Sequence, residues 1–248
     1  MPLFFNQAIT QMNTLLTLAT FGLLTAGSSL ATNLNLTYTT TLGVIGTPAQ
    51  FQAHSFTFTA FDEAAQKLTL NIDSNFGGGF SNGAYQPFGS GPYNIGDIFL
   101  WNNSGAKYGI AMTSHGGLVQ GDLYLAPNVF TASHEVGNHA GRPNQEVRIN
   151  PTGAVLEGAG TISAVNLGGY EYNTTVAVDA SNPGFQHLLN GQFFFDFESA
   201  TCGNDVIHGA VSGFPTTSAT PEPSSLLLLG GGAVALMLMR REAIRKRN

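Results

Sequence analysis

The sequence predicts a mainly β protein, an antiparallel β-sandwich of jelly-roll type flanked by an N-terminal signal helix and a C-terminal transmembrane helix. Three observations carry that expectation. Thr, Val, Phe, Tyr and Gly are plentiful between residues 32 and 220, and sustained helical periodicity is absent. Short apolar stretches are punctuated by Gly, Asn and Pro at strand-and-turn spacing. Eight or more such stretches follow one another without a linker-like change of composition, so residues 32–220 are expected to form one domain.

Residues 54–61 alternate with period two, which sends Phe56, Phe58 and Ala60 to one face and hydroxyls to the other. Residues 67–73 repeat the pattern with Leu68, Leu70 and Ile72, and the short gap at 62–66 predicts an antiparallel hairpin. Residues 76–93, rich in Gly with Asn82, Pro87 and Pro92, are expected to form a long surface loop. Further strands are expected at 98–101, 108–112, 123–125, 146–149, 174–178 and 192–198. Gly203, Asn204 and Asp205 then make a turn into a last strand ending near Val211.

Residues 15–26 have the length of a secretory apolar core, and Ser29-Leu30-Ala31 sets small residues where signal peptidase reads them. Cleavage is expected between Ala31 and Thr32, with residues 1–31 as signal peptide. No Lys or Arg precedes the apolar core, and Met12 is an alternative start. At the other end, Pro221, Glu222 and Pro223 lead into an uncharged run at 226–239, which stops at Arg240, Arg241, Arg245, Lys246 and Arg247. Apolar residues partition into hydrocarbon, while the basic cluster stays with cytoplasmic water and anionic headgroups. A helix over 226–239 spans about 21 Å, short of a hydrocarbon core of about 30 Å. Gly230, Gly231 and Gly232 weaken it further, so it suits a segment held briefly and then processed.

These tail residues resemble the PEP-CTERM sorting signal of Gram-negative bacteria, built as a Pro-Glu-Pro motif, a short apolar segment and an Arg-rich end. The resemblance covers residues 221–248 and implies an exosortase as the processing partner. It also implies an inner-membrane precursor, delivery to the cell surface or matrix, and an association with exopolysaccharide production. Residues 201–209 also resemble a stretch found in PEP-CTERM surface proteins, with no chemistry attached.

Four Lys and Arg stand against 14 Asp and Glu before residue 240, a net charge of −10. An acidic body repels phosphate backbones, which argues against nucleic acid as a partner. The single cysteine, Cys202, leaves no internal disulfide. Gly96-Asp97 and Gly121-Asp122 share a Gly-Asp-aliphatic-aromatic-Leu pattern. Asp97 and Asp122 there either bond turn amides or offer oxygens to calcium, the one cofactor the sequence leaves open.

Catalytic constellations are weak. His134, Glu135 and His139 miss zinc-peptidase spacing, since the two imidazoles stand five residues apart around Gly137. Asp196 and Glu198 share one face of a strand, as a glycosidase would need, and are expected on the solvated side of it. No catalytic or metal-ligating residue is therefore assigned. The function expected is a non-catalytic surface or matrix protein, adhesive or exopolysaccharide-associated. A carbohydrate-binding module using Trp101, Tyr85, Tyr93, Tyr170 and Tyr172, and a secreted hydrolase, are the alternatives.

Overall fold

The computed structural model describes residues 32–76, 95–136, 141–169, 171–199 and 203–214. All lie in one compact unit, Leu30–Thr216. In chain order the strands begin with β1 (Thr32–Tyr38), β2 (Ala53–Asp62), β3 (Lys67–Ser74), β4 (Ile98–Trp101), β5 (Lys107–Ile110), β6 (Leu123–Leu125) and β7 (Val129–Thr131). They continue with β8 (Glu146–Ile149), β9 (Val155–Gly158), β10 (Gly160–Gly168), β11 (Glu171–Asp179), β12 (Phe193–Glu198) and β13 (Val206–Val211). Helices α1 (Pro48–Phe51), α2 (Ala132–Val136) and α3 (Pro183–Asn190) are short.

The protein is thus mainly β, and every strand pair is antiparallel. One sheet has the order β1-β2-β3-β11-β10, a second β13-β12-β4-β5-β6-β9, and β7 and β8 form a separate ribbon. The two large sheets share a core, because alternate side chains of each are apolar and can leave water only against each other. Phe56, Phe58, Leu70 and Val176 from the first sheet join Leu100, Ile110, Phe193, Phe195 and Phe197 from the second in one buried cluster. Phe56 stacks on Phe195 with ring centroids 4.8 Å apart, and Phe58 meets Phe193 edge-on at 5.7 Å. A jelly roll interleaves its sheets strand by strand. Here β1 to β3 remain in one sheet and β4 to β6 in the other, so that finer expectation finds no support.

The hairpin of β2 and β3 forms as the alternation predicts, with one correction. A β-bulge between Phe58 and Ala60 inserts an extra residue, so the pairing resumes as Ala60 with Thr69 and Phe61 with Leu68. The inward face therefore passes to Phe61, which is buried, while Ala60 is only half-buried. Phe76 is also a core residue rather than the start of a surface loop, and it stacks on Phe197 at 5.8 Å. Residues 77–93 of that expected loop lie outside the described residues.

The link from β11 back to β12 is α3. Asn182 Oδ1 accepts from Phe185 N at 2.9 Å and Pro183 occupies the first turn, where its missing N–H costs nothing. The helix buries Phe185, Leu188 and Leu189. Among the described residues no helix is long and apolar enough to cross a membrane. The expected signal peptide and the run at 226–239 lie outside them.

Candidate functional site

A group of ionisable side chains, Lys107, Glu146, Asp196 and Glu198, stands on the second sheet's face away from the core. Period-two alternation on β12 sends Phe193, Phe195 and Phe197 inward and Phe194, Asp196 and Glu198 outward. The outward face is not solvated as the sequence led one to expect. Asp196 is 7% exposed and Glu198 1%. The cause is tertiary: the turn before β8 brings Gln145 over the strand, where its Nε2 donates to Asp196 Oδ2 at 2.6 Å. Gly203, with φ +57, folds back so closely that a Cβ there would lie 3.2 Å from Glu198 Oε2.

Glu146 of β8 pairs with Lys107 of β5, and the Lys107 ammonium lies 5.3 Å from the Trp101 ring. Arg142 clamps the neighbouring chain. Its Nη1 donates to Gly203 O and Asn204 O, both at 2.7 Å, and its Nη2 to Leu42 O and Gly43 O at 2.6 and 2.7 Å. No hydrogen bond of ordinary geometry reaches Asp196 Oδ1, either Glu198 oxygen or Asn204 Oδ1.

Burial pushes the Asp196 carboxyl up to about 7, with Glu146 adding repulsion and Gln145 and Lys107 acting against them. Burial also pushes Glu198 well above its ordinary value, and the neighbouring Asp196 acts in the same sense. Asp196 can therefore hold a proton near neutral pH. Being covered, the two carboxyls present no face to a substrate. A cavity of about 240 Å³ lies elsewhere, lined by Ala65, Lys67, Ala159, Gly160, Thr161, Ala177 and Asp179.

The remaining candidates are placed as struts. Asp97 is fully buried and accepts from Met112 N and Ile149 N, both at 2.8 Å, while His115 Nε2 stands 3.4 Å from it. Burial raises its pKa, with His115 the largest opposing influence. Asp122 accepts from Gly160 N at 3.0 Å. Asp205 accepts from Ala53 N and Val206 N and from the Thr40 hydroxyl. The repeated Gly-Asp pattern therefore ties distant segments through backbone amides rather than through its own turn. Among the described residues no group of three or more His, Cys, Asp or Glu is arranged to hold a metal ion.

His134 lies on α2 with its ring stacked on Phe130 at 4.0 Å, and His139 lies outside the described residues. Trp101 is half-buried and stacks on Phe194 at 6.0 Å. Tyr172 is half-buried, and Tyr85, Tyr93, Tyr170 and Cys202 lie outside the described residues. Sequence reasoning missed Gln145, Glu146 and Lys107 as neighbours of the carboxylate pair, and nothing in their spacing marks them.

Thr32 opens β1, paired with Phe61, while Ala31 and the tail from Pro221 through Arg247 are outside the described residues. No curated protein and no solved structure matches the chain. One family model does, over residues 219–241: the PEP-CTERM protein-sorting motif. The matched stretch contains Pro221, Glu222, Pro223, the apolar run and Arg240-Arg241. This protein therefore carries a PEP-CTERM protein-sorting tail, the mark of an exosortase-sorted, exported chain.

Proposed function

We propose that the chain is a non-catalytic protein of the cell surface or extracellular matrix, whose β domain works by adhesion or by association with exopolysaccharide. The observation that carries this reading is the sorting motif at 219–241, which follows a mainly β unit in the chain. Signal peptidase would cut between Ala31 and Thr32, leaving β1 complete. The run at 226–239 would hold the precursor in the inner membrane of a Gram-negative cell. Arg240, Arg241, Arg245, Lys246 and Arg247 would face the cytoplasm, where basic residues stay with water and anionic lipid.

Two features support the absence of catalysis. Asp196 and Glu198 are buried, and Asp97, Asp122 and Asp205 each accept from a backbone amide elsewhere in the chain. The lectin-like alternative draws less support, because Trp101 is engaged with Phe194 and Lys107 rather than open as a stacking platform.

The test is intact mass with terminal peptides of the protein recovered from the native cell surface. A species starting at Thr32 and ending near Pro221-Glu222-Pro223 is expected. A surface species that keeps Arg240 to Asn248 would overturn exosortase processing.

A further inference from the structure

Two buried carboxyls differ from the rest in what reaches their oxygens. Asp97 and Asp205 are as deeply buried, yet both oxygens of each are taken. Asp97 accepts from Met112 N and Ile149 N, and Asp205 from Val206 N and the Thr40 hydroxyl on one oxygen and Ala53 N on the other. Asp196 Oδ1 and both oxygens of Glu198 are buried, and no hydrogen bond of ordinary geometry reaches them. Among the described residues they are the only buried carboxylate oxygens so placed. A hydroxyl in that position carries a hydrogen of its own, but a carboxylate does not.

The neighbouring protein cations do not make up the deficit. The Lys107 ammonium is paired with Glu146, and the Arg142 guanidinium donates to four backbone carbonyls. A buried carboxyl that no protein group compensates either takes up a proton or holds a bound cation. The local arrangement suits an ion. Asp196 and Glu198 lie two residues apart on the outward face of β12, about 7 Å along the strand, so their side chains can converge on one centre. Gly203, lacking a side chain, brings the following turn against Glu198 Oε2, and Asn204 adds a buried Oδ1 that no donor reaches. Gln145 holds Asp196 by its other oxygen, which leaves Oδ1 for a further partner.

We infer that Asp196 and Glu198 bind one calcium ion, which supplies the charge their oxygens lack and fastens β12 to the turn at Gly203 and Asn204. Every acceptor at hand is a hard oxygen, the set that calcium takes, whereas zinc favours imidazole and thiolate. Two carboxylates also balance a divalent charge. Calcium thus belongs to a different pair of acids from Asp97 and Asp122, whose Gly-Asp pattern suggested it.

The test is a thermal melt of the full chain in mild detergent at pH 7.5, freed of metal by a chelator and then titrated with calcium. A melting temperature higher by about 3 °C or more at about 10 mM calcium is expected, with half-saturation at about 0.1–1 mM. Asp196→Asn and Glu198→Gln keep the shapes and remove the charges. Each should raise the half-saturating concentration by about tenfold or more, whereas Glu171→Gln, at an exposed carboxyl of β11, should leave it unchanged. A wild-type melt that responds to pH but not to calcium would overturn the assignment and leave protons as the partners of these oxygens. So would a half-saturation unmoved by both substitutions, or a rise produced by zinc and not by calcium. Should either variant fail to fold, terbium decides on the wild-type chain. Trp101 is the single Trp and stacks on Phe194 of β12, so exciting it should sensitise emission from Tb3+ bound at Asp196 and Glu198, and calcium should remove that emission by displacement. No sensitised emission, or emission that calcium does not displace, would refute the site.

Discussion

Asp196 and Glu198 show how a single residue's setting can reverse its chemistry. Both carboxyls bind protons more tightly in the folded protein than in the unfolded chain, because burial disfavours the charged forms. A raised folded-state pKa contributes stability that is fully present below the unfolded value. That contribution is lost as pH rises through the folded value, which for Asp196 means between about 4 and about 7. Asp196→Asn removes one proton-linked group while keeping the shape. Urea midpoints at pH 4.5 and 7.5 should then differ less in the variant than in the wild type, and the variant should be the more stable at pH 7.5, by up to about 4 kcal/mol. An unchanged pH slope would mean that Asp196 titrates normally. Phe195 marks the opposite kind of site, fully buried between the two sheets against Phe56 and Phe58. Truncation to Ala should cost about 3–5 kcal/mol, read as a lower denaturation midpoint.

Between elements, Arg142 makes a four-bond polar tie. Its guanidinium joins the segment after β1 to the turn before β13 by donating to four backbone carbonyls. A planar fork reaches four acceptors at once, which an ammonium on a flexible stem cannot match. Arg142→Lys should therefore destabilise the fold nearly as much as Arg142→Ala, by about 2 kcal/mol or more, in chemical denaturation. Rescue by lysine would show that charge, not geometry, holds the turn. At this scale the sequence was informative wherever alternation was clean. β2, β3, β4, β6, β8, β12 and β13 lie where the pattern places them. β9 and β10 were not foreseen, because an edge strand exposed on both faces has no reason to alternate. β1 was not foreseen either, although Leu34, Leu36 and Tyr38 alternate with polar residues.

For the whole molecule, the β unit and the sorting tail are separate statements about one chain. Replacing Glu222 and Pro223 with alanine should leave export intact and trap a precursor that keeps residues 224–248, visible by mass and membrane fractionation. An unaltered surface form would show that the matched motif does not direct sorting here. The β unit, by contrast, should fold as before, because its buried cluster among the described residues runs from Ala53 to Phe214.

The mainly β class, the principal hairpin, most inward-facing residues and the sorting tail could be read from the chain alone. Each of these is written in a local pattern: period two for strands, and a short motif followed by an apolar run and basic residues for the tail. Folding in three dimensions was needed to show that Asp196 and Glu198 are covered, that Asp97 and Asp122 tie distant segments, and that β9 and β10 are the last strands of their sheets among the described residues. The reason is physical. Burial of an outward-facing carboxyl depends on what another part of the chain lays over it, and Gln145 lies 51 residues from Asp196 along the chain yet 2.6 Å from it in space.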